Sequence, residues 1–155
     1  LNRSALIEAG ARLVDACRTR GQACSVLMFD LDNFKTINDS WGHAAGDAVL
    51  SHFVDVIRSM GLTRDTLFAR YGGEEFVLLL PAIEPTQAGA LAERMRAAVA
   101  AEPAAFDGRT INITTSVGGA AATDANFEHL ISAADVALYR AKHLGRNQVA
   151  WNQGA

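Results

Sequence analysis

The chain has 155 residues, half of them hydrophobic, with 14 basic and 17 acidic side chains and a formal net charge of −3. It is long enough for one domain with a full hydrophobic core, so folding needs neither disulfides nor a structural metal. The slightly acidic balance excludes the broad positive field of a nucleic-acid-binding domain, and no nucleic-acid partner is expected.

No segment is suited to a membrane or to export. No apolar stretch reaches the roughly 20 residues of a membrane helix, and no signal peptide opens the chain. Cys17 and Cys24 have no partners at metal-ligand spacing, so we expect reduced thiols in a cytoplasmic protein. We interpret residues 1–155 as a single domain that does not itself insert into a membrane.

The predicted elements alternate between helices and strands. Residues 3–20 are predicted to be helical, and the continuous apolar run at 24–31 predicts a strand buried on both faces. A polar turn and a short helix follow. Apolar residues at helical spacing then predict a helix from about His43 to Met60, which Gly61 ends.

A hairpin and a second set of helices and strands complete the pattern. Strand-like runs at 67–69 and 77–80 flank the motif R-Y-G-G-E-E-F, whose glycines predict a tight turn. A helix from near Thr86, a strand at 110–122, a helix ended by Gly145 and an edge strand at 148–151 follow. The predicted apolar faces of the two helices are Ala88, Leu91, Ala92, Met95 and Val99, then Phe127, Leu130, Ile131, Ala134, Ala137, Leu138 and Ala141. The fold class is therefore α/β (α+β), a mixed central sheet of about five strands flanked by helices.

Two acidic residues, Asp30 and Asp32, end the first predicted strand. At positions i and i+2 they share one face if the chain stays extended, and ligands of α/β sheets collect at the carboxyl ends of strands. Asp30 follows four apolar residues, and a half-buried carboxylate needs a partner or a cation. Asp32 has a second interpretation as the cap of the following helix.

A second acidic pair, Glu74 and Glu75, follows the hairpin glycines. Adjacent strand residues point to opposite faces, so one glutamate can face a site while the other faces away. Asp30 and Glu74 together are a candidate Mg²⁺ site, because magnesium takes one or two carboxylates and completes its octahedron with substrate phosphates and water. The metal would offset the repulsion between a triphosphate and the carboxylates, about 4 kcal/mol per close charge pair at intermediate dielectric.

Asn38 and Asp47 form a pair that could read the edge of guanine. A carboxylate accepts from the N–H groups of the base, and an amide can pair with its ring or carbonyl atoms. Asp47 lies three residues before Leu50, which predicts a position on the apolar side of its helix. Each residue has an alternative: Asp47 as an acid favoured by the helix dipole, and Asn38 as a turn residue.

Three cations and one histidine are the remaining candidates. Lys142 and Arg146, four positions apart at the end of the last helix, could bind a terminal phosphate, although the helix dipole alone also favours cations there. Lys35 could reach phosphate or pair with Glu75. His43 is interpreted as a polar residue at a helix start rather than as a metal ligand.

Three segments together carry a specific resemblance to a known family. The runs F-D-L-D-N-F-K-T-I-N-D-S-W-G-H-A-A-G-D, R-Y-G-G-E-E-F and A-L-Y-R-A-K-H-L-G-R-N resemble the GGDEF family of bacterial diguanylate cyclases. They occur in the family's order and span nearly the whole chain. The resemblance implies condensation of two GTP molecules into cyclic di-GMP with release of two pyrophosphates, and a palm-like core similar to that of nucleotidyl cyclases and polymerases.

The resemblance also implies roles for the candidate residues. Asp30 and Glu74 would hold two Mg²⁺ or Mn²⁺ ions with the backbone carbonyl of Leu31, and Glu74 would help to deprotonate the attacking 3′-hydroxyl. Lys35 would belong to a phosphate-cradling turn and to the catalytic set, and the glycines would let the backbone approach the nucleotide. The residues implied to contact GTP are Phe34, Lys35, Asn38, His43, Asp47, Gly72, Gly73, Lys142 and Arg146.

The sequence departs from the family pattern in two places. The product-inhibition motif R-x-x-D is replaced by Thr63 and Thr66, with Arg64 and Asp65 between them, so we expect that site to be absent or badly weakened. The family's usual start, D-x-L-T-G-L-x-N-R, is represented only by residues 1–3. We therefore expect a domain slightly truncated at its N-terminus, without its upstream sensory or dimerising domain.

The product contains two nucleotides, whereas one domain would bind one. Each 3′-hydroxyl must attack the α-phosphate of the other nucleotide, so we predict a two-fold homodimer with opposed sites. The alternatives are a non-catalytic GTP-binding or partner-binding module of the same fold, and a cyclase with another base or product. Asp47 disfavours the latter, because an acid suits the donor edge of guanine better than adenine.

Overall fold

Five helices and seven strands make up residues 2–152, the part of the chain that the computed structural model describes. The helices are α1 (Arg3–Thr19), α2 (Phe34–Trp41), α3 (His43–Arg58), α4 (Pro85–Ala101) and α5 (Phe127–His143). The strands are β1 (Cys24–Leu31), β2 (Leu67–Gly72), β3 (Glu75–Pro81), β4 (Ala104–Phe106), β5 (Arg109–Ile111), β6 (Thr115–Ala122) and β7 (Val149–Asn152).

Five of the strands form one mixed sheet in the order β2–β3–β1–β6–β7. The central strand β1 is antiparallel to both β3 and β6. β2 forms one edge through its hairpin with β3, and β7 forms the other edge, parallel to β6. The predicted mixed sheet of about five strands, with an edge strand near 148–151, is therefore confirmed.

Helices cover both faces of this sheet, and β1 is buried along its whole length, as predicted. Because successive strand residues point to opposite faces, Leu27 and Phe29 pack with α3 and α4, whereas Val26 and Met28 pack with α1 and α5. Asp30 continues the second set. Its side chain therefore lies on the α1–α5 face at the end of β1.

The predicted strand at 110–122 is wrong in its first part. β5 pairs with β4 in a separate two-stranded sheet, and β6 begins only at Thr115. The small strands are joined by Asp107 and Gly108, whose φ angles are 52° and 73°. An Asp-Gly pair suits this left-handed type of tight turn, so β4 and β5 form a hairpin of their own, and residues 112–114 separate it from β6.

Helix boundaries differ from the prediction by one or two residues. α1 ends at Thr19 and α3 at Arg58, while α4 begins at Pro85, which suits a first helical position because proline has no N–H group. Among the predicted apolar positions, Leu91 is only half-buried. Within residues 2–152, no helix combines the length and apolar character needed to cross a membrane.

Both cysteines are free thiols in the interior. Cys17 lies on α1 and Cys24 begins β1, in the same apolar cluster. Burial, followed by the neighbouring Cys17, raises the pKa of Cys24 to about 12. The Cys24 thiol is therefore protonated at neutral pH, which suits a packing role.

α5 lies close to β6 because Gly118 has no side chain. A β-carbon added there would lie 2.2 Å from the backbone nitrogen of Leu138 and 2.3 Å from the carbonyl oxygen of Ala134. Such separations are far shorter than any van der Waals contact. Gly118 thus sets the depth at which α5 packs on the sheet.

Candidate active site

Asp30, near the end of β1, is a buried carboxylate with a cationic partner. Its side chain is 5% exposed, and its Oδ2 lies 2.9 Å from Nζ of Lys142 in the last turn of α5. Burial raises the pKa of Asp30, and the ammonium of Lys142 opposes this rise because it favours the charged form. A buried carboxylate that keeps a cation beside it is a suitable ligand for metal.

The turn between β2 and β3 brings Glu74 to the same end of the sheet. Gly72 ends β2, and Gly73 and Glu74 form the turn. Gly73 has a φ of 51°, which glycine adopts without steric cost. The backbone N–H of Leu31 donates to the carbonyl of Glu74 at 3.2 Å. The half-buried Glu74 is close enough for its charge to contribute to the raised pKa of Asp30.

Glu75 lies directly opposite Asp30 in the β1–β3 pair, so the two side chains share one face. Burial, followed by the charges of Asp30 and Asp135, raises the pKa of Glu75. The expectation that one glutamate faces away is wrong, because Glu74 lies in the turn rather than in the strand. Sequence reasoning missed Asp135. Its position seven residues before Lys142, about two helical turns, would have placed it on the same side of α5.

The groups around Asp30 fit a magnesium ion that is bound together with phosphate. Asp30 and Glu74 offer hard carboxylate oxygens, and Mg²⁺ usually takes only one or two protein carboxylates. Leu31, whose carbonyl is the third candidate ligand, is the last residue of β1 and is buried. Within residues 2–152, no three His, Cys, Asp or Glu side chains are grouped as an all-protein metal site.

Asp32 is held by three hydrogen-bond donors. Its Oδ2 accepts from Thr114 Oγ1 at 2.7 Å and from the backbone N–H of Asn147 at 3.0 Å, and its Oδ1 accepts from Ser116 Oγ at 2.6 Å. The N-cap of α2 is Asn33, which has a φ of 56° and makes no side-chain capping bond. The interpretation of Asp32 as a cap is therefore wrong, and Asp32 joins β1 to two distant parts of the chain.

The structure brings Asn38 against Gly46, the residue before Asp47, where α2 meets α3. A β-carbon added to Gly46 would lie 1.9 Å from Asn38 Oδ1, so the half-buried amide reaches α3 only because Gly46 has no side chain. Asp47 is exposed. The prediction that it lies on the apolar side of α3 is wrong, because Asp47 and the buried Val49 lie about 160° apart around the helix.

The remaining candidates of this region lie on α2 and at the start of α3. Phe34, the first residue of α2, is half-buried, with its ring 3.3 Å from the β-carbon position of Gly46. Lys35 is exposed, and in the described part of the chain no ion pair links it to Glu75. His43 is exposed at the first position of α3, as expected for a polar residue at a helix start.

Lys142 and Arg146 differ in their surroundings. The ammonium of Lys142 is paired with Asp30, whereas Arg146 is exposed in the loop between α5 and β7, with a φ of 63°. The backbone N–H of Arg146 donates to the carbonyl of Ala141 at 3.0 Å, so the loop turns directly off the helix end. A shared role of the two cations on one phosphate stays a prediction.

The carboxylates of Asp30 and Glu74 suit a metal-bound phosphate, and the side chains of Asn38 and Asp47 can pair with a base. A domain that binds a nucleotide needs both kinds of group. The family model for the diguanylate cyclase GGDEF domain matches residues 1–148. The chain therefore belongs to this family, and the resemblance predicted from three motifs is confirmed.

Relatives and solved structures agree with this assignment. Diguanylate cyclase A of Treponema denticola is 40% identical over 88% of this chain and 37% of that protein. The cyclic di-GMP phosphodiesterase NbdA of Pseudomonas aeruginosa is 38% identical over 94% of this chain and 19% of that protein. The crystal structure of the GGDEF domain of DgcB from Caulobacter crescentus, in complex with c-di-GMP, matches with a TM-score of 0.92 and 29% identity over 98% of this chain and 88% of that chain. The chain spans less than two fifths of the length of either curated relative.

Proposed function

We propose that this domain is a diguanylate cyclase, which condenses two GTP molecules into cyclic di-GMP and releases two pyrophosphates. The observation that carries the proposal is the meeting of Asp30, Glu74 and Lys142 at one end of the central strand. This arrangement offers carboxylates for metal-bound phosphate and a cation for the phosphate itself. Membership of the GGDEF family supports the same reaction.

Asp30 and Glu74, with the carbonyl of Leu31, would hold two Mg²⁺ or Mn²⁺ ions. When bound, the metal supplies positive charge to the phosphates and favours ionisation of the attacking hydroxyl. Glu74 would accept the proton of the 3′-hydroxyl. Lys35 would stabilise the negative charge that develops on the phosphate.

GTP would be recognised through hydrogen bonds to its base and through close approach of the protein backbone. Asp47 would accept from the N–H groups of guanine and Asn38 would pair beside it, with Gly46 leaving room for the amide. The other contacts to GTP are proposed for Phe34, Lys35, His43, Gly72, Gly73, Lys142 and Arg146.

The reaction would require a second copy of the domain. One site holds one GTP, so two sites must face each other across a two-fold axis for each hydroxyl to reach the other nucleotide. An upstream sensory domain in the full-length protein would control this encounter. The reaction would take place in the cytoplasm.

The loop before β2 supports the proposal that the usual product-inhibition site is absent. The backbone N–H and the hydroxyl of Thr66 both donate hydrogen bonds to the carbonyl oxygen of Thr63, at 3.3 and 2.7 Å respectively. Both threonines line a cavity of about 420 Å³ together with Arg94, and the threonines themselves offer no charge to an anionic product. We expect cyclic di-GMP not to bind this domain at sub-micromolar concentration in calorimetric titration. Sub-micromolar binding would contradict the proposal.

A second candidate is a signalling module of the same fold that binds GTP without converting it. One relative that shares this domain, NbdA, is named as a phosphodiesterase, so family membership alone does not establish synthesis. The proposed metal and base positions, Asp30, Glu74, Asn38 and Asp47, nevertheless all carry suitable side chains. This favours the cyclase.

Turnover of GTP separates the two candidates. Concentrated protein is incubated with GTP and Mg²⁺, and the nucleotides are separated by chromatography. A cyclase yields cyclic di-GMP with two pyrophosphates, whereas a binding module yields neither. Glu74→Gln should lower the rate by about 100-fold or more, while the exposed Glu8→Gln on α1 should not. A Glu74→Gln variant as active as the original protein would show the metal assignment to be wrong.

A further inference from the structure

Three consecutive residues after α5 have positive φ angles. The values are 122° at Gly145, 63° at Arg146 and 45° at Asn147. Asparagine tolerates this region more readily than most residues, but arginine keeps such a conformation only where the surrounding structure imposes it. The loop that carries Arg146 therefore depends on contacts from elsewhere in the fold.

Asp32 and Arg96 supply those contacts, and both bind Asn147. The carboxylate of Asp32 accepts the backbone N–H of Asn147 at 3.0 Å, and Nη1 of Arg96 on α4 donates to Asn147 Oδ1 at 2.8 Å. One contact fixes the backbone and the other fixes the side chain. The loop is thus tied to the end of β1 and to α4 at the same residue.

The two partners of Asn147 are themselves held in place. Asp32 is buried and accepts from the hydroxyls of Thr114 and Ser116. Nε of Arg96 donates to both carboxylate oxygens of Glu93 at 3.0 Å, and the Arg96 side chain is only 19% exposed. Charge-assisted bonds of this kind restrict orientation as well as adding stability.

The guanidinium of Arg146 has no comparable support of its own. Arg146 is exposed, and none of the ion pairs formed within residues 2–152 involves it. Its backbone is fixed by the N–H bond to Ala141 and by the carbonyl, which accepts from Nε2 of Gln148 at 3.0 Å. The position of this cation is therefore set by the backbone of the loop.

We infer that Asp32 and Arg96 are positioning residues for phosphate binding. Through Asn147 they hold the loop that places Arg146 at the terminal phosphate of GTP. The inference rests on the proposed function, which assigns Arg146 to that phosphate. It gives α4, which carries none of the three family motifs, a part in the site.

Two ligands test this inference, each measured with Mg²⁺ by competition against a fluorescent GTP analogue. 3′-DeoxyGTP binds but lacks the attacking hydroxyl, and GMP lacks the terminal phosphates. Arg96→Gln should weaken 3′-deoxyGTP binding by about three- to tenfold and leave GMP binding unchanged. Arg96→Lys should recover part of the loss, because an ammonium can still donate to Asn147. Arg94→Gln removes the same charge from an exposed position on α4 and should bind both ligands normally.

A double-mutant cycle shows whether Arg96 acts through Arg146. Arg146→Gln alone should weaken 3′-deoxyGTP binding, and adding Arg96→Gln to it should cause little further loss. Additive losses would overturn the inference. Equal losses for GMP and 3′-deoxyGTP would also overturn it, since they would indicate a general loosening of the fold. Asp32→Asn should show the same selectivity for the triphosphate, and if that variant does not fold, the Arg96→Gln result decides.

The proposed function and the inference fail in different ways. If Arg146→Gln leaves 3′-deoxyGTP binding unchanged, the assignment of Arg146 to the phosphate is wrong and the inference falls with it. If Arg146→Gln weakens binding but Arg96→Gln does not, the phosphate role stands and only the inference is overturned.

Discussion

The ion pair between Asp30 and Lys142 joins two groups that the proposed reaction would use separately. Asp30 is proposed to bind metal and Lys142 the terminal phosphate, yet their charged atoms lie 2.9 Å apart. Lys142 favours the charged form of the buried carboxylate. A metal held by Asp30 would supply a cation to the same carboxylate, and Lys142 would supply one to the phosphate.

Replacing Lys142 by methionine tests the stabilising part of this pair. The buried Asp30 would lose its cation, so we expect the free energy of unfolding to fall by about 1–3 kcal/mol in urea titrations. Breaking a fully buried pair costs about 3–5 kcal/mol, but the Lys142 side chain is 34% exposed and partly screened by water. Mn²⁺ should restore part of the loss.

The control for this substitution is the Asp30→Asn background. There the carboxylate is already absent, so Lys142→Met should have little further effect. A loss of the same size in both backgrounds would mean that Lys142 stabilises the fold by packing of its aliphatic stem.

The local sequence was sufficient to predict the positions of some of these residues, but it was insufficient to predict the partners of others. Asp30 follows a continuous apolar run and Glu74 follows two glycines, so both positions could be predicted from neighbouring residues. The partners of Asp32 could not, because Thr114, Ser116 and Asn147 lie 82 to 115 positions away. Nothing in the local pattern specifies such pairings.

Among the elements, α5 and β6 are in direct backbone contact. Gly118 lets the helix backbone approach the strand directly, and α5 carries Lys142 to Asp30. A change in the depth of this helix would therefore move the cation relative to the carboxylate. Packing between two elements thus controls the geometry of the site.

Gly118→Ala should destabilise the domain by about 3 kcal/mol or more, because the added carbon would meet backbone atoms that cannot move independently. Gly89→Ala is the matched control. Gly89 lies within α4 and an added β-carbon would meet nothing within 4 Å, so this change should stabilise by about 0.5–1 kcal/mol. The midpoints of urea unfolding measure the stability of both variants. Similar stability of the two variants would show that α5 can shift without cost.

Most elements were predictable, including the four-residue edge strand β7. Apolar spacing indicated α3, α4 and α5, and continuous apolar runs indicated β1 and β3. The β4–β5 hairpin was missed because each strand has only three residues, too few to show an alternating pattern. The Asp107-Gly108 pair was the only local signal of this turn.

For the whole molecule, the proposed reaction depends on the encounter of two domains. While dimers are scarce, the total rate of GTP consumption should rise with about the square of the protein concentration. Initial rates over a wide range of protein concentration measure this, with sedimentation reporting the oligomeric state. Excess Glu74→Gln protein should inhibit by forming mixed dimers. A constant rate per molecule in a protein that sediments as a monomer would contradict the dimeric mechanism.

The sequence separations between ion-paired and hydrogen-bonded residues also determine when the site can form during synthesis. Asp30 precedes its cation Lys142 by 112 positions, and Asp32 precedes Asn147 by 115. During synthesis the carboxylates of β1 emerge early, but α5 and the loop after it emerge only when most of the domain has been translated. An incomplete chain therefore lacks both cations proposed for the terminal phosphate, Lys142 and Arg146. A nascent domain of this kind should produce no signal until its last helix and loop have folded.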